Sequence, residues 1–228
     1  VGFSPCQAWS SANQLAEVKG EDDIERNGWP WTLRAVSEVR PTWLVAENVQ
    51  GAKDYIQKAV IPELVNQFPS VQLWKVNAKY HGVPQSRTRL FVVAGPVPIL
   101  HPPIQPMITM RTAIGVAYDK PSPCVMANEW KGRPTDPKWW RKLNNASDAL
   151  AIATDGARLK LTVQECMALQ SFPDSYPFQG TDREKHVQIG NAVPPPLAYI
   201  MAHAVMEAEI KRFSDSETEP EPWYLAIR

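Results

Sequence analysis

Nine prolines lie between Pro96 and Pro137, and they decide where regular structure can form. Each removes a backbone donor and fixes φ, so neither a long helix nor a central strand can cross that stretch. The chain therefore divides into a patterned segment before about residue 96, a loop-rich module, and a patterned return from about residue 158. On this reading residues 1–96 and 158–213 form one domain, 97–157 an inserted one, and 214–228 an acidic tail too poor in apolar residues to pack.

The patterned segments predict an α/β fold. Trp43-Leu44-Val45-Ala46 is a short apolar run leading into polar residues, which reads as a buried strand. Gln72–Val76 and Arg89–Ala94 read the same way, with Tyr80–Pro84 as a loop. Leu33, Val36 and Val39 have helical spacing within Thr32–Val39, which Pro41 ends, and a second helix over Tyr55–Phe68 is interrupted near Pro62. Alternating helices and strands imply a mostly parallel sheet, with ligands at the carboxyl ends of its strands. After the insertion, Thr162 and Glu165 form a capping box for a helix through Gln170. A last helix starts after Pro194-Pro195-Pro196, with Leu197, Ile200, Met201, Ala204, Val205 and Ala208 on its packed face.

Composition narrows the class. The 228 residues suffice for one core plus a small module, and 44% apolar with 21% charged residues is ordinary for a globular chain. No run approaches the roughly 18 apolar residues of a membrane span, and no signal-peptide pattern opens the chain. Three cysteines (Cys6, Cys124, Cys166) lack metal-ligand spacing, so zinc is not supported and a reducing cytoplasm is the expected home. A formal charge of zero argues by itself against a nucleic-acid binder. Lys131, Arg133, Lys138, Arg141 and Lys142 nevertheless face only Asp136, and Trp130, Trp139 and Trp140 stand among them. That mixture suits phosphate contact with base stacking, and equally a solvated face or a small core.

The polar residues that interrupt the pattern are a chemical set. Cys6 follows Pro5 and precedes Gln7, and a cysteine stiffened by proline is a candidate nucleophile, although a lone cysteine is also readable as a structural one. Glu47, in Glu47-Asn48-Val49, ends an apolar strand, where burial can raise a carboxyl pKa enough for it to give up or share a proton. Arg87 and Arg89 alternate within Gln85–Arg89, and period two puts them on one face. One can meet a carbonyl oxygen; the other can brace Glu47 or a phosphate. A thiolate, an acid and a cation are what cytosine requires for addition at ring carbon 6, which makes carbon 5 able to attack a methyl donor.

These strings, followed in order by Leu161–Cys166, Gln170-Ser171-Phe172-Pro173 and Gln188–Pro194, resemble the DNA (cytosine-5)-methyltransferase family over nearly the whole chain. The resemblance implies a partial Rossmann-like, adenosylmethionine-dependent methyltransferase fold with a small inserted target recognition domain at about 97–157. By it Cys6 is the covalent nucleophile, Glu47 contacts the flipped base, and Arg87 and Arg89 line the pocket, the second at the cytosine oxygen. Pro5, Asn191 and Val193 border S-adenosylmethionine. Double-stranded DNA is the implied partner, with Gln7 opening the loop that closes over it. Trp130, Arg133, Trp139, Trp140 and Arg141 are the candidate contacts in the recognition module. The implied setting is bacterial or phage-encoded restriction–modification, in the cytoplasm at the nucleoid, with no metal and no membrane.

The chain departs from the family in lacking the Phe-x-Gly-x-Gly turn and the acidic residue that hold the cofactor. An incomplete gene, one subunit of a split enzyme needing a second chain, and a degenerate remnant are the three readings, and the abrupt start at Val1 favours the first. The enzyme reading competes with that of a binding module for DNA or a partner subunit. The tRNA-methylating branch is disfavoured, because its Cys-Phe-Thr motif is absent.

Overall fold

The computed structural model describes residues 2–3, 7–9, 27–115, 119–127 and 161–215. Pro5, Cys6, the Gln7 side chain, Trp130, Arg133, Trp139, Trp140 and Arg141 lie outside the described residues, as does the acidic tail beyond residue 215. The chain forms two compact units. One comprises Val1–Val76, Thr88–Pro102 and Ile200–Arg228; the other comprises Asn77–Arg87 and Pro103–Tyr199.

The first unit is built on a sheet of strands β1 (Gly2–Phe3), β2 (Leu44–Val49), β3 (Ser70–Asn77) and β5 (Thr88–Gly95), in the order β1-β2-β5-β3. β1 runs parallel to β2, pairing Gly2 with Ala46 and Phe3 with Glu47. β5 runs antiparallel to β2, from Leu44 opposite Ala94 to Val49 opposite Arg89. The sheet is therefore mixed where a mostly parallel one was expected. The link from β3 to β5 explains this: residues 78–87 hold only a 3-10 turn (Ala78–Tyr80) and the short β4 (Gln85–Ser86). A parallel return needs a crossover of a dozen residues or more.

Side-chain alternation sorts the sheet into two faces. Leu44 and Ala46 join Leu90, Val92 and Ala94 in one buried cluster with Trp29, Val36, Ile56, Val60, Leu64 and Phe68. Glu47 and Arg89 carry the opposite parity, so they project from the other face. The cluster is roofed by α1 (Trp29–Val39), which starts before the expected Thr32 because Pro30 is tolerated in the first turn. The Trp29 N–H also donates to Asn27 Oδ1 at 3.2 Å. A second helical stretch runs as α2 (Lys53–Tyr55), a π turn (Ile56–Val60) and α3 (Ile61–Leu64). Pro62 cannot donate to the preceding turn and its ring crowds that carbonyl, so the expected interruption takes the form of local widening. Along β3, which ends the sheet order, the Gln72 amide pairs with both backbone groups of Ile99, at 3.1 and 2.9 Å. An exposed edge is thereby blunted.

The second unit packs Met110, Val125, Leu161, Val163, Cys166, Met167, Leu169 and Ile189 into one apolar cluster. Its elements are α4 (Met110–Ile114), β6 (Ser122–Pro123), α5 (Val163–Leu169) and α6 (Asp182–Asn191), with β6 parallel to β4. The Thr162–Glu165 capping box forms as expected. α6 is not anticipated from the sequence, and a second box of the same spacing (Thr181 with Glu184) starts it. Helix α7 (Pro195–Ser214) begins within the proline run. Leu197 and Met201 are buried on its expected face, and Ile200, Ala204, Val205 and Ala208 are half-buried. Among the described residues no helix is long and apolar enough to cross a membrane.

Candidate active site

The carboxyl end of β2 carries the acid. Glu47 Oε1 lies 2.7 Å from Arg89 Nε, with side-chain exposures of 9% and 13%. The register explains the meeting: Arg89 pairs with Val49, and Glu47 is two residues earlier on the same face, a diagonal neighbour within reach of a long side chain. Arg89 Nη1 also donates to the Thr88 carbonyl at 2.9 Å, which holds the guanidinium in place. Next to Glu47, Asn48 is fully buried, and its Oδ1 accepts the Val49 N–H at 2.8 Å. A carboxylate oriented by a cation, both largely removed from water, is a rigid site for handling one proton.

Arg87 is placed differently. The expectation that Arg87 and Arg89 share one strand face fails, because Arg87 falls between β4 and β5 and strand alternation does not run through it. The residue is 2% exposed. Nη1 donates to the Val125 carbonyl at 2.9 Å and approaches Cys124 Sγ at 3.3 Å. Nη2 donates to the carbonyls of Gly190 and Ala192, at 2.9 and 3.0 Å. A cation thus caps the carbonyl end of α6, where the helix dipole favours positive charge.

Two buried amides complete this cluster. Gln85 Nε2 donates to the Leu169 carbonyl (2.9 Å) and to Gln170 Oε1 (2.6 Å), while its Oε1 accepts the Val125 N–H (3.0 Å). Gln170 Nε2 donates to the carbonyls of Ile189 and Ala192, at 2.5 and 3.3 Å. The turn that ends α6 is therefore gripped from two sides, with Asn191 exposed and Val193 half-buried on it. On sequence grounds alone neither Gln85 nor Gln170 carries a definite role. The available signal was a glutamine standing directly after the apolar Met167-Ala168-Leu169, where a polar side chain needs buried partners.

Gly190 is required by close approach. A Cβ there would lie 2.2 Å from the Ala127 nitrogen and 2.3 Å from the Met126 carbonyl carbon. Backbone cannot yield as a flexible side chain does, so Gly190→Ala is expected to cost about 3 kcal/mol. Thermal unfolding checks this, and a midpoint unchanged within a degree would refute it. Of the remaining expected residues, the described ones fall into two groups, Glu47 with Arg89 and Arg87 with the Asn191 turn. A hollow of ≈ 790 Å³ at the start of α6, lined by residues such as Thr181, Arg183 and Gln188, includes none of them. No group of three or more His, Cys, Asp or Glu among the described residues could hold a metal ion.

Residues 1–97 and 116–207 match the sequence profile of the family described as C-5 cytosine-specific DNA methylase. The chain is 33% identical over 236 residues to the type II methyltransferase M.AplI of Arthrospira platensis, a match covering 90% of this chain and 67% of that protein. It is 29% identical over 242 residues to the type II methyltransferase M.HindV of Haemophilus influenzae, covering 92% and 75%. Among solved structures, the Entamoeba histolytica methyltransferase EhMeth matches with a TM-score of 0.62 at 17% identity, over 91% of this chain and 76% of that one. A likeness at that identity speaks for the fold, and the fold is the expected α/β methyltransferase fold.

Proposed function

This chain belongs to the C-5 cytosine-specific DNA methylase family, and on that premise we propose that it methylates carbon 5 of cytosine in double-stranded DNA through a covalent adduct on Cys6. The observation that carries the reading is the Glu47–Arg89 pair at the carboxyl end of β2. Phe3 is the register partner of Glu47, and Cys6 follows Phe3 by three residues, a span of at most about 11 Å. That short tether in the sequence supports a nucleophile near the acid, toward the carboxyl ends of strands, where ligands gather in α/β folds.

The target base has to leave the duplex stack before a thiolate can reach it. The Cys6 thiolate then adds to ring carbon 6, and the electron pair of the 5,6 double bond moves toward ring nitrogen 3. Glu47 shares or donates the proton that this nitrogen takes, with Arg89 holding the carboxyl in position and meeting the cytosine oxygen. Carbon 5 becomes the attacking carbon. S-adenosylmethionine supplies the electrophilic methyl group. Water takes the carbon-5 proton, the electron pair left behind restores the 5,6 double bond and expels the Cys6 thiolate, and ring nitrogen 3 returns its proton to Glu47. The exposed Asn191 amide and half-buried Val193, on a turn whose carbonyls are already engaged by Arg87 and Gln170, suit a donor that is polar at one end. Pro5 is assigned to the donor by the family resemblance alone. Residues 97–157 act as the target recognition domain, with Gln7, Trp130, Arg133, Trp139, Trp140 and Arg141 meeting DNA.

Transfer of labelled methyl from adenosylmethionine to mixed-sequence duplex tests the reading. Glu47→Gln keeps the shape and removes the proton, so labelling is expected to fall about 100- to 10,000-fold. DNA binding with no labelling by the unaltered chain would replace the enzyme by a binding module.

A further inference from the structure

We infer that Gln170 is a positioning residue that sets the turn Gly190–Val193 for the methyl donor, an inference that rests on the donor-side reading of Asn191 and Val193. Its side chain is fully buried just beyond the end of α5. Its own N–H is already used within that helix end, donating to the carbonyls of Cys166 and Met167 at 3.0 and 3.1 Å. The side-chain amide therefore serves other groups, and its orientation follows from them. Gln85 Nε2 is a donor, so the Gln170 atom 2.6 Å away is the amide oxygen. The NH₂ must then face the carbonyls of Ile189 and Ala192, which are the groups it contacts.

Glutamine meets this demand with one acceptor toward Gln85 and two donors toward the turn; glutamate offers no donor and methionine offers neither. An apolar side chain of the same length would pack as well without the penalty of burying an amide. What the amide adds is a fixed backbone on both sides of Asn191. Ile189 and Ala192 flank that residue, and the Ala192 carbonyl is held again by Arg87 at 3.0 Å. The last carbonyls of a helix have no partners within it and the end frays when they are left open. Without the amide, the turn holds its donor-ready shape for only part of the time, and donor affinity falls in proportion to that fraction.

The test compares Gln170→Met with Val163→Ala, which removes packing from the same apolar cluster and helix. Amide exchange at Asn191, Ala192 and Val193 is read without ligand, and adenosylmethionine affinity and turnover are read on the whole chain. Gln170→Met is expected to speed exchange at the turn and weaken donor binding by about tenfold or more, with turnover at saturating donor within about threefold. Val163→Ala is expected to move neither by more than about twofold. Unchanged exchange in Gln170→Met, or an equal change in Val163→Ala, overturns the proposal. If Gln170→Met does not fold, Gln170→Asn takes its place, since it keeps the amide but is too short to span both carbonyls. An unaltered chain that binds no adenosylmethionine defeats the donor-side reading, and exchange alone then decides whether Gln170 holds the turn.

Discussion

Cys6→Ala is expected to abolish methyl transfer to DNA, lowering it about ten-thousandfold or more, while DNA affinity stays within about threefold. The asymmetry follows from what the thiolate does. Cytosine carbon 5 is not nucleophilic, and in the proposed mechanism Glu47 and Arg89 alone do not make it so, because both are assigned to the ring nitrogen and oxygen. Only a bond at carbon 6 pushes the electron pair toward carbon 5. Binding, by contrast, rests on phosphate contacts and base edges, neither of which needs the sulfur. A duplex carrying 5-fluorocytosine sharpens the test. Fluorine cannot leave as a cation, so the step that frees Cys6 is blocked and a covalent protein–DNA complex should survive denaturation. Cys6→Ala should form none. Labelling by Cys6→Ala at more than about a hundredth of the unaltered rate would end the covalent reading.

Much of this site was legible because its residues sit at the ends of strongly patterned elements. β2 and β5 are covered on both faces, so their apolar runs stand out, and Glu47 is conspicuous as the polar residue that stops one of them. Apolar runs carry no direction, however, and strand order and sense had to come from connection length: the link 78–87 is too short for a crossover. The division of labour between the two arginines was hidden for a related reason. Spacing by two implies a shared face only within an unbroken strand, and the break at Arg87 separates a residue that braces Glu47 from one that ties up carbonyls. α6 escaped notice because only His186, Ile189 and Gly190 of its residues are buried, too few to give a stripe. Its signal was local: the Thr181–Glu184 box has the spacing that was recognised at Thr162.

Arg87→Met is expected to destabilise the protein by about 3–5 kcal/mol, more than any other substitution considered, and to lower activity through that loss. The guanidinium donates to three carbonyls, those of Val125, Gly190 and Ala192. The buried Val125 and Gly190 carbonyls, losing this donor, cost about 1–3 kcal/mol each, while the Ala192 carbonyl keeps the Gln170 amide at 3.3 Å. Methionine matches the volume, so packing is spared and the lost hydrogen bonds dominate. Arg87→Lys is the informative companion. It keeps the charge at the end of α6, yet an ammonium on a flexible stem cannot reproduce the planar fork that reaches Val125 on one side and the turn on the other. A loss of about 2 kcal/mol is expected for it, between the methionine variant and the unaltered chain. Urea unfolding of all three proteins measures the series. A guanidinium serving only to contact cytosine would give the opposite pattern, with transfer lost and the unfolding midpoint unmoved, and that result would return Arg87 to the reacting base.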